Sequence, residues 1–189
     1  MLKTDETASI QHKSDIDLAI QINSERLRLT ALTDDDKALY CAVMTDPCCM
    51  LHVATQLTSS QAERSFTAAL GLTRQQPTTR FYLKVVWRAT AEPIGIAAIN
   101  QLDLTANIAD IGRMLLPEWH GKGLGTELSQ LLISWLHKEL NITGFSKHIR
   151  EGNQAAIMSA LKLGFKPVST SKISGNAKTQ RYLLLVNSR

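Results

Sequence analysis

The chain has no apolar run approaching the roughly 20 residues that span a bilayer, and its polar opening segment lacks the hydrophobic core of a secretory signal. A cytoplasmic address is therefore expected, with no membrane partner. Cysteine is scarce as well. Cys41, Cys48 and Cys49 are an odd set that closes no disulfide framework, and no Cys-x-x-Cys pair is present to start a zinc knuckle, even with His52 nearby. No metal site is expected, and Cys41 reads as a small apolar residue of a helix. Nor does charge of one sign gather anywhere. The net charge of +4 is spread thinly, which suits an anionic ligand or an acidic surface but builds no nucleic-acid-binding stripe.

What is present is ordinary core material. A hydrophobic fraction of 44% and a charged fraction of 20% over 189 residues suit one soluble domain with a single core. Residues 1–16 are polar and aperiodic and read as a loose arm. Residues 17–189 read as the domain. Ile16 to Ile22 and Leu27 to Leu32 alternate as a strand interrupted near Asn23 and Ser24. A helix capped by Asp34 runs over about 35–45 and stops before Asp46-Pro47. A second begins after Thr58 or Ser59 and buries Ala62, Phe66, Ala69 and Leu70.

Three strands follow, over 80–88, 93–102 and 107–116, with turns short enough to favour an antiparallel meander. Residues 144–150 read as a further interior strand. Residues 153–163 read as a helix whose inner face is Ile157, Ala160, Leu161 and Gly164. The segments 165–171 and 179–186 form a closing hairpin around Ser174-Gly175-Asn176. The fold class expected is α+β: a mixed, mostly antiparallel sheet of about seven strands with helices on both faces.

The stretch that carries chemistry is IGRMLLPEWHGKGLGTELSQLLISWL, Ile111 to Leu136. A strand meets a glycine-rich turn that opens into a helix, with Leu124, Leu128, Leu131, Leu132, Trp135 and Leu136 on one face and Glu127, Gln130, Ser134, His137 and Lys138 on the other. The first turn of a helix has N–H groups without partners and the positive end of the helix dipole, so this junction suits phosphate. Gly121, Gly123 and Gly125 remove the Cβ atoms that would hold a ligand off, and Lys122 adds charge. It is not a P-loop, because Lys122 is followed by Gly123 rather than Ser or Thr. Rossmann spacing also fails, because the third glycine would fall on Thr126. A plain tight turn between strand and helix is the competing explanation.

Two spaced motifs carry a resemblance. His120-Gly121-Lys122-Gly123-Leu124-Gly125 is similar to the Gln/Arg-x-x-Gly-x-Gly/Ala pyrophosphate loop of the GCN5-related N-acetyltransferases (GNAT), with His120 in the Gln/Arg position. NQAAIMSALKLGF, Asn153 to Phe165, matches the family's Asn and Gly-Phe spacing. SERLRLTALTDDD, Ser24 to Asp36, and ADIGRML, Ala109 to Leu115, resemble the RimJ/RimL-like ribosomal-protein N-terminal acetyltransferase group within it. The resemblance covers the chain from about Ile22 onward.

That resemblance implies a GNAT-type sheet splayed between the strands ending at Leu116 and Arg150, with acetyl-CoA in the gap. Met114, Leu115 and Leu116 would line the pantetheine arm, and the N–H groups from Gly121 through Lys122, Gly123, Leu124 and Gly125 to Thr126 would hold the pyrophosphate. His120 would donate to phosphate from its backbone or ring, and Asn153 would meet the cosubstrate as well as cap its helix. The Leu116 N–H would polarise the thioester carbonyl, and Asp110 would be the base, unless it is only a surface carboxylate paired with Arg113 or Arg80. Alternation puts Asp110 on the side of Met114 unless a bulge intervenes. The family's general-acid Tyr falls on Ala160, with Ser159 rotated away and His148 read as a strand-edge surface residue. The implied activity is transfer of acetyl to an amine, foremost a protein N-terminus such as a ribosomal protein's. A small-molecule amine or antibiotic acceptor and a non-catalytic acyl-CoA-binding module stay open, as does the choice between monomer and homodimer. The acceptor pocket would be built by the first two helices, residues 47–58 and the last hairpin.

Overall fold

Period-two alternation makes the strands, and their order in space follows from how short the connections are. A computed structural model describes Ile16 and residues 19–172 and 178–186. The arm expected over residues 1–16 lies outside the described residues except for Ile16, which is buried in the core. The turn expected at Ser174-Gly175-Asn176 also lies outside them.

In chain order the elements are β1 (Gln21–Asn23), β2 (Leu27–Ala31), a 3-10 turn (Asp34–Asp36), α1 (Lys37–Thr45), the short α2 (Pro47–Met50), α3 (Ser59–Arg74), β3 (Phe81–Trp87), β4 (Glu92–Asp103), β5 (Ile108–Leu115), α4 (Leu124–Leu140), β6 (Gly144–Arg150), α5 (Gln154–Lys162), β7 (Lys166–Lys172) and β8 (Lys178–Leu185). One sheet holds all the strands in the order β1-β2-β3-β4-β5-β6-β8-β7. It has eight strands rather than about seven because the interruption at Asn23 and Ser24 is a reversal, closed by the Ser24 N–H on the Leu27 carbonyl at 2.9 Å.

Helices cover both faces, as expected. On one, Leu124, Leu128, Leu132 and Leu136 of α4 pack with Phe145, Ala160 and Phe165. On the other, Tyr40 and Val43 of α1 and Phe66 and Leu70 of α3 pack with Met114. The α3 face is the one read from its spacing, and Thr58 caps it through a reciprocal bond with Gln61. Asp36, rather than Asp34, organises the start of the first helix: it accepts from the Thr33 N–H at 2.9 Å and from Lys84 of β3 at 2.7 Å. In α5 the inner face is rotated from the expected one. Leu161 is 45% exposed, whereas Ser159 is buried beside Ala160. No helix among the described residues is long and apolar enough to cross a membrane.

Every neighbouring pair in the sheet is antiparallel except β5 with β6, which run parallel and pair only over Ile108–Asp110 against Gly144–Ser146. Beyond that rung β5 continues to Leu115 and β6 to Arg150, and a gap opens between them. Between β4 and β5 the register shifts, leaving Asn100 as an extra residue opposite Asp110 and Ile111. The bulge lies on β4, so alternation along β5 is unbroken and Asp110 keeps step with Gly112 and Met114.

Lys147 is the exception in the core behind β6. It is 4% exposed, its Nζ donates to Ser129 Oγ of α4 at 2.8 Å, and it lies 5.4 Å from the Phe165 ring centroid. Burial first, and then the charge of Arg113, hold its pKa well below the ordinary lysine value, with Asp110 opposing them. Between its lowered folded value and about 10.5 the unfolded chain therefore binds more protons than the folded one, so this site's contribution to stability rises with pH across that window. Lys147→Met removes the buried amine, while Ser129 keeps the bond it donates to the Gly125 carbonyl at 3.1 Å. Urea unfolding should show the variant more stable than the parent at pH 7, with the advantage shrinking towards pH 10.5. A variant less stable at pH 7 would contradict this account of Lys147.

Candidate active site

The gap exposes one edge of β5, and hydrogen-bond alternation decides which groups face it. The Leu116 N–H donates to the Ile94 carbonyl of β4 at 2.9 Å. Leu116 is therefore turned away from the gap and cannot polarise a carbonyl there, a correction to its expected role. Antiparallel pairing alternates along the strand, so the N–H and C=O groups of Arg113 and Leu115 face the gap instead. The Leu115 carbonyl accepts from His120 Nε2 at 2.7 Å and from Cys49 Sγ at 3.3 Å. Burial, reinforced by Asp46, pushes the Cys49 thiol up to about 12, so it remains a protonated donor. The His120 N–H donates to Pro117. With both that group and the ring N–H engaged, His120 does not donate to phosphate as expected.

The glycine loop behaves as its composition requires. Gly121 and Gly123 have φ of 73° and 75°, and Gly123 caps α4 in the left-handed conformation. The first α-helical bond runs from the Glu127 N–H to the Gly123 carbonyl at 3.2 Å, which leaves the Leu124 and Gly125 N–H groups ahead of it. The Thr126 N–H also bonds to Gly123, at 3.1 Å, so this residue offers its hydroxyl rather than its amide. Lys122 lies with its Nζ 4.5 Å from the Trp119 ring centroid. Behind the loop, Ser24 Oγ and Arg26 Nε donate to the two Glu127 carboxylate oxygens at 2.6 and 2.7 Å, and Arg26 Nη1 reaches the Lys122 carbonyl at 3.3 Å. The N-terminal hairpin thus clamps the loop.

A cavity of about 670 Å³ runs along this edge. Met114, Leu115, His120, Gly121, Gly123, Leu124, Gly125, Thr126 and Asn153 line it; Leu116 and Lys122 do not. Asn153 caps α5, accepting from the Ala156 N–H at 3.1 Å. Arg113 and Ser159, to which the sequence reading gave no role here, line it too. Arg113 Nη2 donates to Ser159 Oγ at 2.8 Å, and Ser159 Oγ lies 2.9 Å from Thr126 Oγ1. Burial lowers the Arg113 pKa to about 10, which still leaves a cation at neutral pH. Gly125 makes room for it: a Cβ there would lie 2.7 Å from Arg113 Nε.

A second cavity, of about 350 Å³, lies on the α1 side of the gap, with Tyr40, Met44, Tyr82, Asn100 and His148 in its wall. His52, Val53, Arg113, Met114, Asn153 and Ala156 line both cavities, so the two meet across the gap. Of the segments named for an acceptor pocket, the first helix, the segment after Pro47 and, through Thr179, the last hairpin reach this wall; α3 does not. Asp110 lies behind it. Its carboxylate accepts from Asn100 Nδ2 at 3.0 Å, Ser146 Oγ at 2.7 Å and His148 Nδ1 at 2.9 Å. Asp110 therefore pairs with neither Arg113 nor Arg80 by salt bridge, and His148 stands between it and the open space.

Residues 26–166 match the family described as acetyltransferase (GNAT) domain. The chain belongs to the GNAT family. Within 78 residues, 40% of this chain, it is 36% identical to the N-acetyltransferase 9-like protein of Caenorhabditis briggsae. That match spans 39% of the relative's length. Among solved structures, an acetyltransferase from Salmonella typhimurium that modifies the N-terminal serine of ribosomal protein L7/L12 shares the fold, with a TM-score of 0.77, 18% identity, and coverage of 89% of this chain and all of that one. A RimL structure in complex with coenzyme A gives 0.74, 17%, 88% and 98%. At these identities the likeness is one of fold. The GNAT cosubstrate fits the cavity by two observations made on this chain: the left-handed glycine turn before α4, and a half-buried guanidinium on the cavity wall with no carboxylate partner among the described residues.

The clamp on the loop has a pH signature. Burial pushes the Glu127 carboxyl up, but the bonds from Ser24 and Arg26 outweigh it and hold the pKa below the ordinary 4.5. A depressed acid stabilises fully above its ordinary value, and the contribution is lost as pH falls through the lower folded value. Glu127→Gln should lower the urea midpoint at pH 6–7 and converge on the parent in strong acid. Parallel curves at all pH values would overturn the clamp.

Proposed function

We propose that the chain moves acetyl from acetyl-CoA to an amine, and that the acceptor is the α-amino group of a protein N-terminus. The observation that carries the reading is the junction of two cavities over one strand: an anion cradle on one side of β5 and a hydrogen-bonded acid–imidazole pair on the other. The activity of the Salmonella neighbour, on the N-terminal serine of a ribosomal protein, supports the finer choice of acceptor.

When bound, acetyl-CoA supplies an activated acyl thioester. The chain's own groups do the rest. The Leu124 and Gly125 amides and the helix dipole hold phosphate charge. The gap-facing N–H groups of Arg113 and Leu115 are preorganised donors for the carbonyl oxygen, and one such donor is worth about 3 kcal/mol. Holding amine and thioester in joined cavities makes their encounter effectively unimolecular. With Ala160 in the position of the family's tyrosine, Ser159, oriented by Arg113 and Thr126, is a hydroxyl of this cavity's wall that would face the bound cosubstrate.

Thiol release from acetyl-CoA, measured over peptides with different N-termini, lysine side-chain analogues and small amines, tests the reading. Turnover confined to peptide α-amines is the expected result. Tight coenzyme A binding without turnover on any acceptor would leave an acyl-CoA-binding module. Turnover confined to small amines would make it a small-molecule acetyltransferase. Gly123→Asp places a carboxylate beside the phosphates at a left-handed position that Asp adopts at a cost of about 1–2 kcal/mol. Calorimetry should show coenzyme A affinity falling by about 100-fold or more while circular dichroism stays that of the parent. Unchanged affinity would refute the cradle.

A further inference from the structure

His148 is half-exposed on the wall of the second cavity, with its Nδ1 2.9 Å from Asp110 Oδ2. Asp110 Oδ2 also accepts from the Ser146 hydroxyl, and Oδ1 accepts from the Asn100 amide. Every partner of this carboxylate is a donor, so Asp110 acts as a pure acceptor and Nδ1 carries the hydrogen. The lone pair of the neutral ring is thereby confined to Nε2, which has no hydrogen-bond partner among the described residues. The carboxylate's own side chain is 12% exposed. A ligand in the cavity meets the imidazole before it meets the acid.

The supports of this pair come from three strands. Asn100 reaches Asp110 because it is the extra residue of the β4 bulge. Gly112 leaves it room, since a Cβ there would lie 3.0 Å from Asn100 Nδ2. Ser146 lies opposite Asp110 on the last paired rung of β5 and β6, and His148 is two residues further, where the strands have parted. Alternation puts both on the α1 face, while Lys147 between them points to α4.

From this geometry we infer that His148 Nε2 is the proton acceptor for the attacking amine and that Asp110, held by Asn100 and Ser146, is the positioning residue that fixes its tautomer. The inference rests on the acetyl-transfer reading above. Nε2 takes one proton from the bound ammonium, which frees the nitrogen lone pair. That pair forms the C–N bond as the C–S bond breaks, its electrons going to sulfur. A second N–H proton passes to the sulfur, so amide and thiol leave. His148 then releases its proton to water. An oriented base of this kind contributes roughly 100- to 10,000-fold in rate.

The test combines a spectroscopic readout with kinetics. In protein carrying 15N-labelled histidine and no ligand, the neutral His148 ring should be protonated at Nδ1, and Asp110→Asn should abolish that preference. His148→Ala should lower kcat by about 100-fold or more with coenzyme A affinity unchanged, and added imidazole should restore part of the loss. His148→Gln should lower kcat similarly without rescue. A neutral ring protonated at Nε2 would overturn the inference, as would full kcat in both His148 variants. If the parent shows the Nδ1–H form but transfers acetyl to no amine, the pairing stands and the proton-transfer role falls with the acetyltransferase reading.

Discussion

The pairing of β5 with β6 stops after three rungs, and the site exists because it stops there. Were the two strands zipped to their ends, the edge groups of Arg113 and Leu115 would be bonded to β6 and neither cavity would open. The fork is held at its base. Asp110 accepts from Ser146 across the last rung and from His148 beyond it, so one carboxylate fastens the strands where they part. The flanks hold the strands apart from there. Beyond the fork, β5 is bound through β4, and β6 is bound through β8 along its full length from Gly144 to Arg150.

Strand alternation sorts charge across this fork. Arg113 and Lys147 point to the α4 side, where the dipole of that helix also presents its positive end. Asp110 and His148 sit on the α1 side. β5 therefore turns Arg113 towards the side of the glycine loop and Asp110, bonded to His148 of β6, towards the other, with backbone N–H groups between them. Gly112 and Gly125 serve the same end by leaving space, one for Asn100 and the other for Arg113.

The parts of this arrangement that were legible in the sequence are those written as local patterns. The glycine turn, the α4 stripe, the α3 face and the meander all rest on spacing within a few residues, and they stand as read. What spacing could not reach is which way a group turns once three elements meet. Leu116 and His120 were assigned from position along the chain, but the Leu116 N–H turns to Ile94 and the His120 ring to the Leu115 carbonyl. Ser159 was rotated away on an ideal helix wheel. In the fold α5 turns so that Ser159 is buried against Arg113 and Leu161 is exposed. His148 lay 38 residues from Asp110 with no motif joining them. The one available signal was its two-residue offset from Ser146 on a strand expected beside the gap.

The bulge at Asn100 shows how little separates the two possible readings of Asp110. Had the extra residue fallen on β5, every side chain beyond it would have changed face, sending Met114 to the α4 side and Arg113 to the α1 side. Placed on β4, it leaves the β5 pattern intact and supplies an amide that no regular strand position would aim at Asp110. A buried carboxylate with one lone donor is costly, but with an amide, a hydroxyl and an imidazole N–H it is saturated. Saturation is also what denies it contact with the incoming amine, so the open nitrogen of His148 becomes the group through which its charge is felt.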